Sequence, residues 1–168
     1  MAKIEAAQFA DDGKFPNSRL PVILYREAVA RETAGPETLE DLFERNGWPP
    51  QWRSQVYTYD HYHSVSHEVL GIARGHATIR LGGPEGREFR VEPGDVIVLP
   101  AGTAHRRMTS SPDFLVVGGY PPGQENWDLN RGLAEERPKV DENIAKVELP
   151  RTDPVEGGNG TLVAVWKG

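Results

Sequence analysis

The sequence predicts an all-β protein built as a sandwich or small barrel, and three features carry that expectation. Glycine and proline number 18 and 14 in 168 residues, well above their usual combined share of roughly 12%, without any low-complexity run. The apolar stretches between these turn formers are short, and six or seven of them fit between Gln55 and Tyr120, the density of a sandwich or small barrel. Only one segment carries a convincing helical period. The length suits a single domain over residues 1–168, because two separate cores would need a longer chain.

Taken in order, LPVILY at Leu20–Tyr25 reads as the first strand, following the turn at Phe15–Asn17. The helix follows near residues 36–46: Pro36 suits its first position, Leu39, Leu42 and Phe43 make an i, i+3, i+4 stripe, and Gly47 suits a left-handed stop. Pro49 and Pro50 forbid its continuation. The strands then read QVYTYDHYH, HEVLGIARG, HATIRLGG, REFRVE, DVIVLP, AHRRMT and DFLVVGGY, separated by turns at GGPEG, EPGD and PAG. The stretch from Pro121 to about Val147 is polar and proline-bearing, a wrap of loop or short helix. Thr161–Trp166, within GTLVAVW, reads as a final strand.

Charge and composition exclude several functions. The chain holds 19 basic and 25 acidic residues, net −6, with no basic run of the kind that tracks phosphate backbones, so no nucleic acid partner is expected. No stretch approaches the roughly 18 apolar residues of a membrane span, and the opening MAKIEAAQFADDGK lacks a signal-peptide core, which predicts a cytoplasmic protein with no membrane partner. There is no cysteine. Disulfides, thiolate nucleophiles and sulfur-ligated metals are thereby removed, and any metal must sit on nitrogen and oxygen.

Three of the five histidines, His61, His63 and His67, crowd into seven residues next to Glu68. On a strand, residues two apart share a face, so His61 and His63 could converge on one ion. Glu68 at the start of the next strand could join them, and His105, after the tight PAGT turn, could arrive from a neighbouring strand. His67 has the parity of His63, so a set of His63, His67 and Glu68 is conceivable, although a supporting position near the site fits it better. Tyr57 and Tyr59 share the parity of His61 and His63, which allows either core packing or a place on the pocket wall. Gly71 and Ala73 would keep that pocket open. Arg107 shares the parity of His105 and could grip a carboxylate or phosphate, with Arg106 facing away. Trp48, Trp52 and Trp127 fall outside the strand core and read as covering or interface residues.

HYHSVSHEVLGIARG has the form H-x-H-x4-E-x6-G, and GDVIVLPAGTAH has the form G-x5-P-x-G-x2-H. These resemble the two motifs of the cupin superfamily. Gln55 stands where the first motif usually opens on glycine and Thr109 where the second usually closes on asparagine, and neither is a ligand position. The motif-bearing core spans about residues 55–120, while RNGWPPQW before it and YPPGQ after it resemble the uncharacterised YjlB-type small single-domain bacterial cupins.

The resemblance implies a double-stranded β-helix, the cupin or jelly-roll barrel, holding a divalent transition metal on His61, His63, Glu68 and His105. Imidazole and carboxylate suit Fe, Mn, Ni, Co, Cu or Zn, whereas magnesium and calcium favour all-oxygen shells. Four protein ligands on an octahedral ion leave two positions for substrate and dioxygen. The expected function is a dioxygenase-like oxidoreductase acting on a small oxygenated metabolite. The alternatives are a sugar-type isomerase, which would need His67 or Tyr59 as its base, and a non-catalytic binding or sensing protein with a structural metal. A small-molecule ligand and a homodimer complete what the resemblance implies, with LPVILY a candidate for the dimer contact.

Overall fold

A computed structural model describes residues 3–168. Among these residues nine strands form two sheets in which every pairing is antiparallel. They are β1 (Lys3–Phe9), β2 (Ser18–Arg26), β3 (Pro50–Ser54), β4 (Glu68–Arg74), β5 (Ala77–Leu81), β6 (Arg87–Val91), β7 (Val96–Leu99), β8 (His105–Ser110) and β9 (Leu115–Gly119). The larger sheet runs β1-β2-β7-β4-β9-β3 and the smaller β6-β5-β8. Their stacking makes the jelly-roll sandwich that the motifs imply. Helix α1 (Pro36–Arg45) forms as expected, with Gly47 at a φ of +83° just beyond it. No helix among the described residues is long and apolar enough to cross a membrane.

The period of two explains why the inner strands of the larger sheet read as continuous apolar runs. Val22, Leu24, Leu70, Ile72, Ile97, Leu99 and Val116 point between the sheets, where Ile79, Leu81, Phe89 and Val91 of the smaller sheet meet them. Their neighbours Ile23, Tyr25, Val69, Ala73, Val96, Val98 and Val117 point the other way, onto Leu39, Phe43 and Trp48 of the helical layer. Both faces of the larger sheet's inner strands β2, β7, β4 and β9 are therefore dry, while the edge strands β1 and β3 are partly exposed. The smaller sheet alternates in the ordinary way, with Thr78 and Arg80 turned outward between buried Ala77, Ile79 and Leu81.

Four expectations need correction. The segment Gln55–His63 is not a strand: only His61 and Tyr62 make isolated bridges, to His105 and Asn130. His61 and His105 exchange both backbone hydrogen bonds, so regular pairing would next bring the Tyr59 carbonyl to the Arg107 N–H. That N–H instead meets the carbonyl of Tyr57 at 2.9 Å, which leaves two extra residues bulged out and destroys the parity argument for Tyr59. Thr161–Trp166 is not a strand but the body of helix α3 (Thr161–Lys167). Its buried Leu162, Val163 and Trp166 follow the helical stripe, which in so short an apolar run resembles strand content. Gly71 and Ala73 do not open the pocket, because they face α1; a Cβ on Gly71 would stand 2.8 Å from the Phe43 ring. Finally, LPVILY is not the first strand: it lies in β2, and β1 precedes it, reading weakly in sequence because it is an edge strand that is only partly buried.

The stretch after β9 is a wrap, as expected, and contains a short 3-10 turn at Ala134–Glu136 and helix α2 (Lys139–Lys146).

Candidate metal centre

Three backbone devices bring distant histidines together. The paired backbones of residues 61 and 105 set His61 and His105 side by side, their rings 4.0 Å apart. The PAGT turn is tied to the same segment, since the Gly102 N–H donates to the His63 carbonyl at 2.8 Å. Gly102 is required there: its φ is +99°, and a Cβ would stand 2.3 Å from the Asn17 carbonyl oxygen. Glu68 opens β4 beside Leu99 of β7, which aims its carboxylate at the histidines.

One ligand nitrogen from each of His61, His63 and His105 lies within 4.8 Å of the other two, and all three residues are buried. Each ring is oriented by its Nδ1 atom. The partners are the carbonyls of Tyr59 at 3.0 Å, Asp128 at 2.5 Å and Thr103 at 3.0 Å respectively. A carbonyl only accepts, so each Nδ1 must carry the proton, and in the neutral ring each Nε2 keeps its lone pair. Glu68 then places Oε1 3.2 Å from the His105 Nε2 and Oε2 3.5 Å from the His63 Nε2. Lone pairs facing a buried carboxylate are tolerated only with a proton or a cation between them. Oε1 of Glu68 is also buried without a hydrogen-bond partner, while Oε2 accepts from the Tyr120 hydroxyl at 3.0 Å. The donor set of three imidazoles and one carboxylate therefore fits a divalent transition ion.

Electrostatics follow from the same contacts. Burial, aided by the neighbouring His105, pushes His61 down to about 2, so it stays neutral. Burial also pulls on His63, but the Glu68 carboxylate outweighs it and holds His63 above the ordinary imidazole value. Burial likewise works against the charged form of Glu68, yet His63 and His105 hold its carboxyl well below the usual range.

A cavity of about 340 Å³ opens above this cluster. Tyr57 lines its mouth and is 43% exposed. Tyr59 does not line it; it stacks behind Tyr57 and carries the Arg131 guanidinium over its ring at 3.7 Å. Arg107 does not reach the cavity either, because its guanidinium is spent on the Val56 carbonyl at 3.1 Å and the Ser110 hydroxyl at 2.7 Å. His67 turns to the far side of β4. Its Nδ1 accepts from the Ala101 N–H at 2.9 Å and its ring packs 4.8 Å from that of Trp166, a dry setting that pushes it down to about 4.

Several cavity residues escape the sequence reading. Trp52 and Trp127 line the cavity instead of covering the outside, and Trp48 alone of the three is pure core. Trp127 packs edge-on against His63 at 5.1 Å, and Asp128 next to it supplies the carbonyl that orients His63. Hydrogen bonds from Ser64 and Asn130 fasten the Asp128 carboxylate. Tyr120 links Trp52 to Glu68, accepting from the indole N–H at 2.9 Å. Gly118 makes room for that indole, since a Cβ there would stand 2.1 Å from the Trp52 ring. No local motif marks the wrap after β9 as part of the site; its YPPGQENWD aromatics and acid offer the one available signal.

Comparison with known proteins agrees with the motifs. Residues 49–112 match the family model described as Cupin domain. The uncharacterized protein YjlB of Bacillus subtilis is 38% identical over 159 residues, covering 94% of this chain and 93% of its own. An acireductone dioxygenase of Sclerotinia sclerotiorum is 28% identical over 125 residues, 73% of this chain and 64% of that protein. Among solved structures, the acireductone dioxygenase from Bacillus anthracis with a cadmium ion in its active center superposes at a TM-score of 0.38, with 16% identity over 72% of this chain and 79% of its own.

Proposed function

The chain belongs to the cupin superfamily, in its YjlB type, and from that premise we propose that it is a metal-dependent, dioxygenase-like oxidoreductase acting on a small oxygenated metabolite. His61, His63, Glu68 and His105 hold the metal. The observation that carries the reading is the set of three Nδ1 atoms committed to carbonyls, which leaves three Nε2 atoms free in one cluster at the floor of a cavity, those of His63 and His105 against the Glu68 carboxylate. A divalent ion on these atoms supplies a Lewis acid for oxygen ligands and a place for dioxygen.

The chain's own residues do the rest. The Asp128, Tyr59 and Thr103 carbonyls hold the rings in register, and Tyr120 occupies one Glu68 oxygen so that the other stays free for the ion. Trp52, Trp127 and Leu70 limit water around the reacting end of a ligand. The relationship to the Sclerotinia acireductone dioxygenase supports dioxygen chemistry. The isomerase alternative loses both of its expected bases, since His67 and Tyr59 lie outside the cavity.

The test is anaerobic loading with iron(II), followed by oxygen uptake across a panel of small keto- and hydroxy-compounds with vicinal oxygens. At least one should drive stoichiometric uptake above the metal-only background. Retained metal without uptake for any compound would favour a binding or sensing protein.

Metal affinity should depend on pH through His63. Its pKa is raised by Glu68, so the proton that competes with the metal binds already above the ordinary value of about 6.5. Affinity, measured by competition with a chromophoric chelator, should fall as pH drops from about 8 through about 6. A flat profile over that range would contradict a histidine-held metal.

A further inference from the structure

Above the histidines, the cavity wall is made of aromatic rings and neutral polar groups. Trp52, Tyr57, Tyr120 and Trp127 supply π surface, Gln51 and Gln55 the polar edge, and no lysine or arginine lines it among the described residues. The arginines nearest in sequence are engaged elsewhere: Arg53 with Glu40 at 2.8 Å, Arg106 with Asp60 at 3.7 Å, Arg107 with Val56 and Ser110, and Arg131 with the Tyr59 ring. The formal charge in the wall is thus the Glu68 carboxylate alone.

Resting on the metal-centre reading above, we infer that the site selects a flat, single-ring or conjugated molecule that bears two adjacent oxygens and no separate anionic group. A divalent ion beside one carboxylate leaves a single positive charge, enough for one ionised oxygen at the histidine end of the ligand. A second anion would have to sit against the negative faces of the aromatic rings with no cation to pair it, and a buried unpaired charge is strongly disfavoured. Phosphorylated substrates and nucleotide sugars are therefore selected against. The near-parallel pair of Tyr120 and Trp127, inclined by 25° with centroids 6.5 Å apart, gives a flat body a wall to lie along, and the volume of about 340 Å³ sits at the small end of ligand cavities.

Calorimetry on the zinc-loaded full chain, with metal content measured beforehand, tests this with three probes. 4-Methylcatechol has the adjacent oxygens and no further charge, 3,4-dihydroxybenzoate adds a carboxylate, and p-cresol lacks the second oxygen. We expect 4-methylcatechol to bind at least tenfold more tightly than either of the others. At equal zinc content, Trp127→Ala should weaken it at least fivefold and Trp127→Phe should restore most of the loss. Equal or tighter binding of 3,4-dihydroxybenzoate, no binding of any probe, or indifference to Trp127→Ala would overturn the inference while leaving the metal centre standing. Failure of the wild-type chain to retain zinc would overturn the metal centre and this inference with it.

Discussion

His61→Ala, His63→Ala and His105→Ala should each lower metal affinity by more than about a hundredfold, since loss of a mere supporting partner of a metal ligand already costs roughly 10–100-fold. Each removes one of the three clustered ligand nitrogens. His63→Ala and His105→Ala also leave Glu68 buried with less to hold its charge, so those apo variants should lose little stability at neutral pH only if Glu68 takes up a proton. His67→Ala and His76→Ala should stay within a few-fold of wild type. His67 points into a different cavity, toward Ala101 and Trp166, and His76 is exposed at the start of a hairpin strand. Metal content after dialysis, read by elemental analysis, distinguishes the outcomes. Loss in His67→Ala with retention in His61→Ala would move the centre to the alternative set of His63, His67 and Glu68.

Trp166→Ala should destabilise the fold by about 3–5 kcal/mol, the usual range for emptying a buried aromatic site. The indole is 2% exposed, packs in the cluster with Tyr25, Leu39 and Phe43, and donates from Nε1 to the Pro21 carbonyl at 2.8 Å. Helix α3 is further anchored by Asp153, which accepts from the Leu162 N–H and from the Tyr25 hydroxyl. Ala164→Glu should change stability by less than about 0.5 kcal/mol, because Ala164 is exposed on the outer face of the helix. In a strand, Ala164 would share the buried face of Leu162 and Trp166 and the same change would be severe. Urea denaturation of the two variants separates the helix from the strand.

The site was legible where chemistry and spacing are local. His61 and His63 stand two apart, Glu68 follows within one turn and strand start, and His105 sits behind a turn that demands glycine at 102, so the residue types and their punctuation survive in one dimension. Their convergence was not legible from parity. The bulge at residues 58–60 breaks the alternation that would have put Tyr57 and Tyr59 on one face, and it arises from pairing with β8, which is nearly fifty residues away. Arg107 was equally illegible: its guanidinium is taken by the Val56 carbonyl, from a segment about fifty residues away, and by the Ser110 hydroxyl on its own strand.

What the sequence by itself determined is the β class, helix α1 with its start and stop, the six strands from β4 to β9, and the two motifs that carry His61, His63, Glu68 and His105. These depend on period, turn chemistry and residue type, all of which act over a few neighbouring residues. Only the tertiary structure decided that Thr161–Lys167 coils instead of extending, that Gly71 yields to Phe43, and that Trp52, Tyr120, Trp127 and Asp128 surround the histidines. A short apolar run has no preference strong enough to choose its own conformation, and the surface it can bury against makes the choice. Likewise, a cavity wall is assembled from segments far apart in sequence whose only shared property is the space between them.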